Sequence, residues 1–256
     1  MTPLPRIMVA LNGARRTKTD HPKLPITIAE MVEEAVKCQK AGADGIHLHV
    51  RDRNGNHVLD AGLYREALAE LKVKAPALLP QITTEAVGIY NPEQQRSLVK
   101  DVKPEQVSIA ISEMTSDQNF QQATEFYKWC EESGITVQHI IYGEEDLKLI
   151  ESLLYQNHFK KSNLQLLFVL GKYTPGQQST PQDLTPFTDW LGTANINADW
   201  SVCVFGSGET ACLKEAAKNG GKVRVGFENS LWNADRSIAK DNAERVREVA
   251  KAISQL

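Results

Sequence analysis

The 256-residue sequence predicts a closed (β/α)₈ barrel, the TIM-barrel member of the α/β class. Three observations predict it. Eight short apolar runs alternate with longer helical patterns, the signature of parallel strands joined by helices. Eight such units leave roughly 32 residues each, and about 250 residues is the usual barrel size. No GxGxxG follows the first run, which argues against an open dinucleotide-binding sheet. No linker, low-complexity tract or repeat divides the chain, so residues 1–256 are expected to form one catalytic domain.

The expected strands are RIMVAL (6–11), DGIHLHV (44–50), ALLPQIT (77–83), QVSIAI (106–111), GITVQHII (134–141), LQLLFVL (164–170), WSVCVF (200–205) and KVRVGF (222–227). The first helix is expected over 28–41, with Thr27 as N-cap and Glu30 completing a capping box. The second is expected over 61–74. A third begins at Pro92, whose ring presets the first helical turn behind the Asn91 cap. The remaining helical patterns cover 120–133, 144–158, 181–191, 209–219 and 238–254.

Composition narrows the function. Hydrophobic residues are 41% of the chain, enough for a full core, and the net charge of -3 leaves no electrostatic footprint for nucleic acid. No run approaches the roughly 20 apolar residues that span a bilayer. The first residues lack the apolar stretch and cleavage site of a secretory signal. Cys38, Cys130, Cys203 and Cys212 are scattered without a CxxC pair, which reads as ordinary thiols rather than a disulfide framework. A cytoplasmic protein is expected.

The chemistry-bearing segment is His47-Leu48-His49-Val50-Arg51-Asp52, at the end of the second strand. Side chains alternate across a strand, so His47, His49 and Arg51 share one face and Leu48 and Val50 the other. Two imidazoles at i and i+2 can reach one ion. They can equally be hydrogen-bonded histidines of a polar barrel interior. Their place at the C-terminal strand end, where barrel active sites form, favours the ion. So does an arginine suited to an anion on the same face. In the eighth strand Arg224, Gly226 and Glu228 share a face. In a closed barrel Glu228 lies close enough to complete a two-His, one-carboxylate set that leaves coordination sites open. Gly226 would leave room for a ligand. Arg224 and Glu228 also fit a plain salt-bridged pair.

The chain resembles the β-keto acid cleavage enzymes, the family of 3-keto-5-aminohexanoate cleavage enzyme. The stretches VALNGARRTKTDHPKLPIT, AGADGIHLHVRDRNGNHVLD, QITTEAVGIY and GGKVRVGFEN carry the resemblance. It implies a barrel that forms a homo-oligomer, a tetramer, with one zinc on His47, His49 and Glu228. It also implies conversion of a β-keto acid and acetyl-CoA to acetoacetate and a new acyl-CoA, in amino acid catabolism. Arg224 matches the family arginine before the glycine of the last strand. The candidate catalytic set is Arg224, Asn229, Glu85, Thr83 and Ser108, with Ser112 as an alternative to Ser108.

The sequence departs from the family pattern at two places. Asn229 stands where the family carries an acid, and an amide cannot accept a proton as a carboxylate can. That puts a base role at 229 in question. The fifth strand, 136–141, lacks the family's Pro-Glu and further acid. His139 is either their replacement or a core histidine. Glu85 and Glu113 fall past strand ends, as proton-transfer groups or as solvent-facing loop acids. Asn12 is read as orienting substrate or capping a turn. Asp52 is read as fixing Arg51 or a histidine, and Trp232 as covering the site or packing between subunits. His21, His57 and His158 are expected in solvent. Two other functions fit the same residues: a metal-dependent aldolase or lyase without CoA, and a barrel that binds a keto acid without turnover.

Overall fold

Each strand carries apolar side chains on its outer face, and the ring of helices around the closed sheet buries them. The computed structural model describes residues 2–156, 164–171, 176 and 178–256. Its strands are β1 (Ile7–Ala10), β2 (Gly45–Leu48), β3 (Leu79–Thr83), β4 (Gln106–Ala110), β5 (Thr136–Ile141), β6 (Gln165–Leu170), β7 (Asp199–Val204) and β8 (Lys222–Val225). They close in sequence order, every pair parallel, with Met8 of β1 beside both Gly45 of β2 and Arg224 of β8. The barrel read from the sequence is the barrel observed.

The helices are α1 (Ile28–Ala41), α2 (Ala61–Lys74), α3 (Pro92–Val102), α4 (Ile111–Met114), α5 (Phe120–Glu132), α6 (Glu144–Tyr155), α7 (Thr185–Thr193), α8 (Glu209–Lys218) and α9 (Asn242–Ile253). Local chemistry sets most of their starts. Thr27 with Glu30, and Asn91 with Gln94, close capping boxes on α1 and α3. Asp60 accepts the Leu63 N–H at the head of α2. Three expectations shift. Ile111 opens α4 instead of ending β4. The pattern from Pro181 begins as a 3-10 turn (Pro181–Leu184) before α7. The last helix starts at Asn242, not Ile238, because Asp241 accepts the Glu244 N–H as N-cap while Ile238 bridges back to Trp232. His158 lies outside the described residues.

The main core sits between sheet and helices. It takes Ile46, Leu48 and Val50 from β2 and its extension, and Leu166, Phe168 and Leu170 from β6. Phe168 stacks on Phe187 of α7 and against Trp200 of β7, at ring separations of 4.8 and 5.7 Å. Burying a ring of that size stabilises by roughly 1.5–3 kcal/mol. All four cysteines are buried and free. Inside the barrel the filling is largely polar: Gln81, Gln106, Ser108, Gln138 and Ser201 are all buried. Barrels ordinarily fill this space with branched apolar side chains. Among the described residues no helix is long and apolar enough to cross a membrane.

Candidate metal centre and active site

Strand alternation turns His47 and His49 into the barrel mouth while Leu48 and Val50 join the outer core. Asn12, at the end of β1, braces this segment: its amide donates to the His49 and Pro25 carbonyls (3.1 and 3.0 Å). It neither caps its own turn nor lines the cavity. The third group arrives from the turn after β8. Glu228 N–H donates to Ala10 O (3.1 Å) and Phe227 N–H to the Asn242 side chain (2.8 Å), folding the turn over β1. Gly226 permits this approach. Its φ is +141°, and a Cβ there would stand 2.3 Å from Ala10 O. The glycine therefore serves backbone packing, not room for a ligand as its position in the strand suggests.

His47 Nε2 lies 3.1 Å from His49 Nε2, and Glu228 Oε2 lies 3.4 Å from His49 Nε2 and 3.7 Å from His47 Nε2. Donors arranged tetrahedrally around an ion at bonds of about 2.0–2.1 Å stand roughly 3.3 Å apart. The three atoms thus already have the spacing a small transition-metal ion needs. The other Glu228 oxygen accepts from Arg224 Nη2 (3.0 Å). The two sequence readings of Glu228, ligand or salt-bridge partner, are therefore compatible, one to each oxygen.

Burial disfavours the Glu228 carboxylate, but the Arg224 guanidinium beside it outweighs that and holds the carboxyl well below its usual range. Burial and Arg224 push His47 well below its usual range, so its imidazole is neutral. A neutral imidazole and an ionised carboxylate are the forms that bind metals.

A cavity of about 510 Å³ opens over these groups. Its charged side holds Arg15, His47, His49, Glu85, Arg224 and Glu228. Thr83, Ser112 and Glu113 continue the lining, and Ile140, Tyr142, Val169 and Phe205 form an opposite wall. That volume is in the range of small-molecule sites. Glu85 and Glu113 face this cavity, which corrects the reading of them as solvent-facing acids. Burial pushes both carboxyls upward. Glu85 Oε2 lies 3.7 Å from His49 Nδ1, and Glu113 Oε2 accepts from Ala86 N–H and the Gln95 amide, each at 3.0 Å. Thr83 Oγ accepts the Glu85 N–H (3.0 Å).

Other expected residues lie elsewhere. Arg51 is buried and donates to the carbonyls of Gly13, Arg16 and Gly55, so it knits loops together and is absent from the cavity lining. Asp52 accepts from Asn54 and Asn56 in its own turn and holds neither Arg51 nor a histidine. Ser108 is buried inside the barrel below the cavity, and Ser112 lines the wall instead. Asn229 is buried and outside the lining, with its side-chain amide unpartnered. His139 points outward and packs on Tyr127 of α5 at 5.1 Å, the core alternative of its two readings. Trp232 is half-exposed in the loop after β8, away from the cavity.

His21 and His57 are buried, not solvated. The His21 ring lies 4.5 Å from Phe227. His57 Nε2 sits 3.0 Å from Glu85 O, and the His57 ring 5.0 Å from His49, so it supports the mouth from behind. Sequence reading also missed Gln81, whose Oε1 lies 2.9 Å from His47 Nδ1. The signal was available, because Gln81 alternates with Thr83 on the inward face of β3.

Barrel enzymes build their active sites at the C-terminal strand ends, and these groups converge on that rim of a barrel. Residues 6–256 match the family model described as beta-keto acid cleavage enzyme, and the chain belongs to that family. It is 27% identical over 252 residues to the 3-keto-5-aminohexanoate cleavage enzyme of Acetoanaerobium sticklandii, covering 96% of this chain and 90% of that one. It is 23% identical over 251 residues to the 3-oxoadipate:acetyl-CoA acetyltransferase of Cupriavidus necator, covering 95% and 86%. In fold it is similar to apo ObcA, with a TM-score of 0.72 at 17% identity over 91% of this chain. The chain spans only 62% of ObcA's length.

Proposed function

We propose that this chain is a zinc-dependent enzyme that converts a β-keto acid and acetyl-CoA into acetoacetate and a new acyl-CoA. The observation that carries the reading is the triangle of His47 Nε2, His49 Nε2 and Glu228 Oε2, with Arg224 bonded to the same carboxylate. Names of relatives support the substrates: one cleaves 3-keto-5-aminohexanoate and another acts on 3-oxoadipate with acetyl-CoA.

In this reading His47, His49 and Glu228 hold the ion. A bound zinc supplies a Lewis acid toward the ketone oxygen of the β-keto acid. Arg224 orients the substrate carboxylate or shields the oxyanion that develops at the ketone, where a fixed cation in a dry site is worth most. Its bond to Glu228 holds the guanidinium in place before substrate arrives. Asn229 has no base role, since its amide cannot take a proton and lies outside the cavity lining. Proton transfer falls to the cavity acids. Glu113 is held by two donors on one oxygen, and Glu85 is anchored through Thr83 and His57. Thr83 and Ser112 supply hydroxyls at the rim.

The test is a panel of β-keto acids with and without acetyl-CoA, on zinc-loaded protein, scored by acetoacetate release. Release that needs acetyl-CoA supports the proposal. Cleavage without CoA identifies an aldolase or lyase, and binding without product identifies a keto-acid-binding barrel. Light scattering tests the homo-oligomer, a tetramer, that belongs to the same reading.

A further inference from the structure

We infer that a backbone carbonyl on β6, across the barrel, dictates which nitrogen His47 offers at the mouth. The inference rests on the metal reading of that site and adds the device that keeps the site ready. Below the cavity a chain of buried amides crosses the interior. His47 Nδ1 lies 2.9 Å from Gln81 Oε1, and Gln81 Nε2 donates to Gln138 Oε1 (2.9 Å). Gln138 Nε2 donates to Leu166 O (3.1 Å) and Ser201 Oγ (2.8 Å). His47, Gln81, Gln138 and Ser201 are each at most 5% exposed, so water cannot replace a lost partner.

The polarity of this chain follows from chemistry, without relying on which amide atom is drawn as oxygen. A carbonyl only accepts. Leu166 O therefore requires the NH₂ of Gln138, which leaves the Gln138 oxygen turned toward β3. That oxygen requires the NH₂ of Gln81, leaving the Gln81 oxygen turned toward β2. An amide oxygen also only accepts, so the His47 proton must sit on Nδ1. Its lone pair is then on Nε2, the atom that faces His49 and Glu228. The opposite tautomer would direct an N–H at the ion position and break the bond to Gln81. A hydroxyl can donate or accept, so Ser201 imposes no direction. Gln81 and Gln138 are thus positioning residues that act through His47.

The test measures two quantities on wild type, Gln81→Leu, Gln138→Leu, the double variant and Ser201→Ala. Long-range ¹H–¹⁵N NMR of the metal-free protein reads the His47 tautomer. Competition with a chromophoric chelator reads the zinc dissociation constant. Wild type is expected to show His47 protonated on Nδ1. Each leucine variant is expected to lose that single tautomer and to bind zinc about 10–100-fold more weakly, the usual cost of losing a partner behind a ligand. The double variant should bind no worse than Gln81→Leu alone, because Gln138 acts through Gln81. Ser201→Ala should stay within about threefold of wild type. Two results overturn the inference. One is a wild-type His47 protonated on Nε2, which needs no variant to fold. The other is a Gln138→Leu variant that loses melting temperature alone, with tautomer and zinc affinity unchanged. A wild type that binds no zinc but keeps the Nδ1–H tautomer counts against the metal reading and leaves the amide chain standing.

Discussion

Around one rim, β8, β2 and β3 deliver Arg224, Glu228, His47, His49 and Glu85, while β5, β6 and β7 deliver Ile140, Val169 and Phe205. The apolar side is a cluster of its own, completed by Ala110, Leu167 and Cys203 and separate from the main core. The two sides meet where Arg224 Nη2 lies 3.5 Å from Cys203 Sγ. Burial pushes that thiol up to about 11 even beside the guanidinium, so Cys203 acts as wall and not as nucleophile. The difference teaches a division of labour. One side carries fixed charge, and the other faces it with an apolar surface, beside which charges interact more strongly than they do in bulk water.

Variants on each side test that division, and the largest effect is expected on the charged side. His49→Ala should abolish metal content in elemental analysis and lower turnover by more than about 100-fold, beyond the loss of an outer partner. Its fold, read by circular dichroism, should survive. Full metal occupancy in that variant would sink the ligand set. Arg224→Met should keep the metal but lower kcat/KM by roughly 10²–10³, the scale of one lost oxyanion donor. An unchanged kcat/KM would reduce Arg224 to a brace for Glu228.

Behind the apolar wall, His139 should show itself in stability alone. Burial pushes its imidazole down to about 4, against about 6.5 in an unfolded chain. The unfolded state then binds a proton that the folded state refuses. Its contribution is fully present above about pH 6.5 and is lost as pH falls toward 4, by up to about 3 kcal/mol. His139→Leu should flatten the denaturation midpoint over that window without altering zinc affinity. A midpoint that still falls as steeply would place the pH dependence in another group. The smallest effect is expected for Phe205→Ala. It should cost about 2 kcal/mol, less than the 3–5 of a sealed core ring, because one face already meets the cavity. KM for β-keto acids should rise while metal content stays full. Loss of metal there would mean that the two sides are not separable.

Much of this was legible in the chain. Caps set helix starts within a few residues, so Thr27, Asn91 and the eight apolar periods predict the barrel almost element by element. His47 and His49 are two residues apart on one strand, and a period of two is enough to put them on one face. Where a second segment mattered, sequence reading faltered. Arg51 shares the histidine face by alternation, yet three loop carbonyls capture it. Gly226 reads from its place in the strand as room for a ligand, yet Ala10 of β1 occupies that room. Asp241 lies inside the helical pattern expected from Ile238, and its bond from the Glu244 N–H moves the start to Asn242, a cap that the Asp-x-x-Glu spacing also carries in the sequence.

By itself the sequence determined the local matters: strand and helix periods, their caps, and the two imidazoles on a common face. These depend on neighbours a few residues apart. The tertiary structure alone decided that Glu228 divides its oxygens between Arg224 and the histidines, that Glu85 and Glu113 turn inward, and that Gln81 and Gln138 cross the interior. Those relations join residues far apart in the chain, and only closure and register of the barrel bring their atoms within bonding distance.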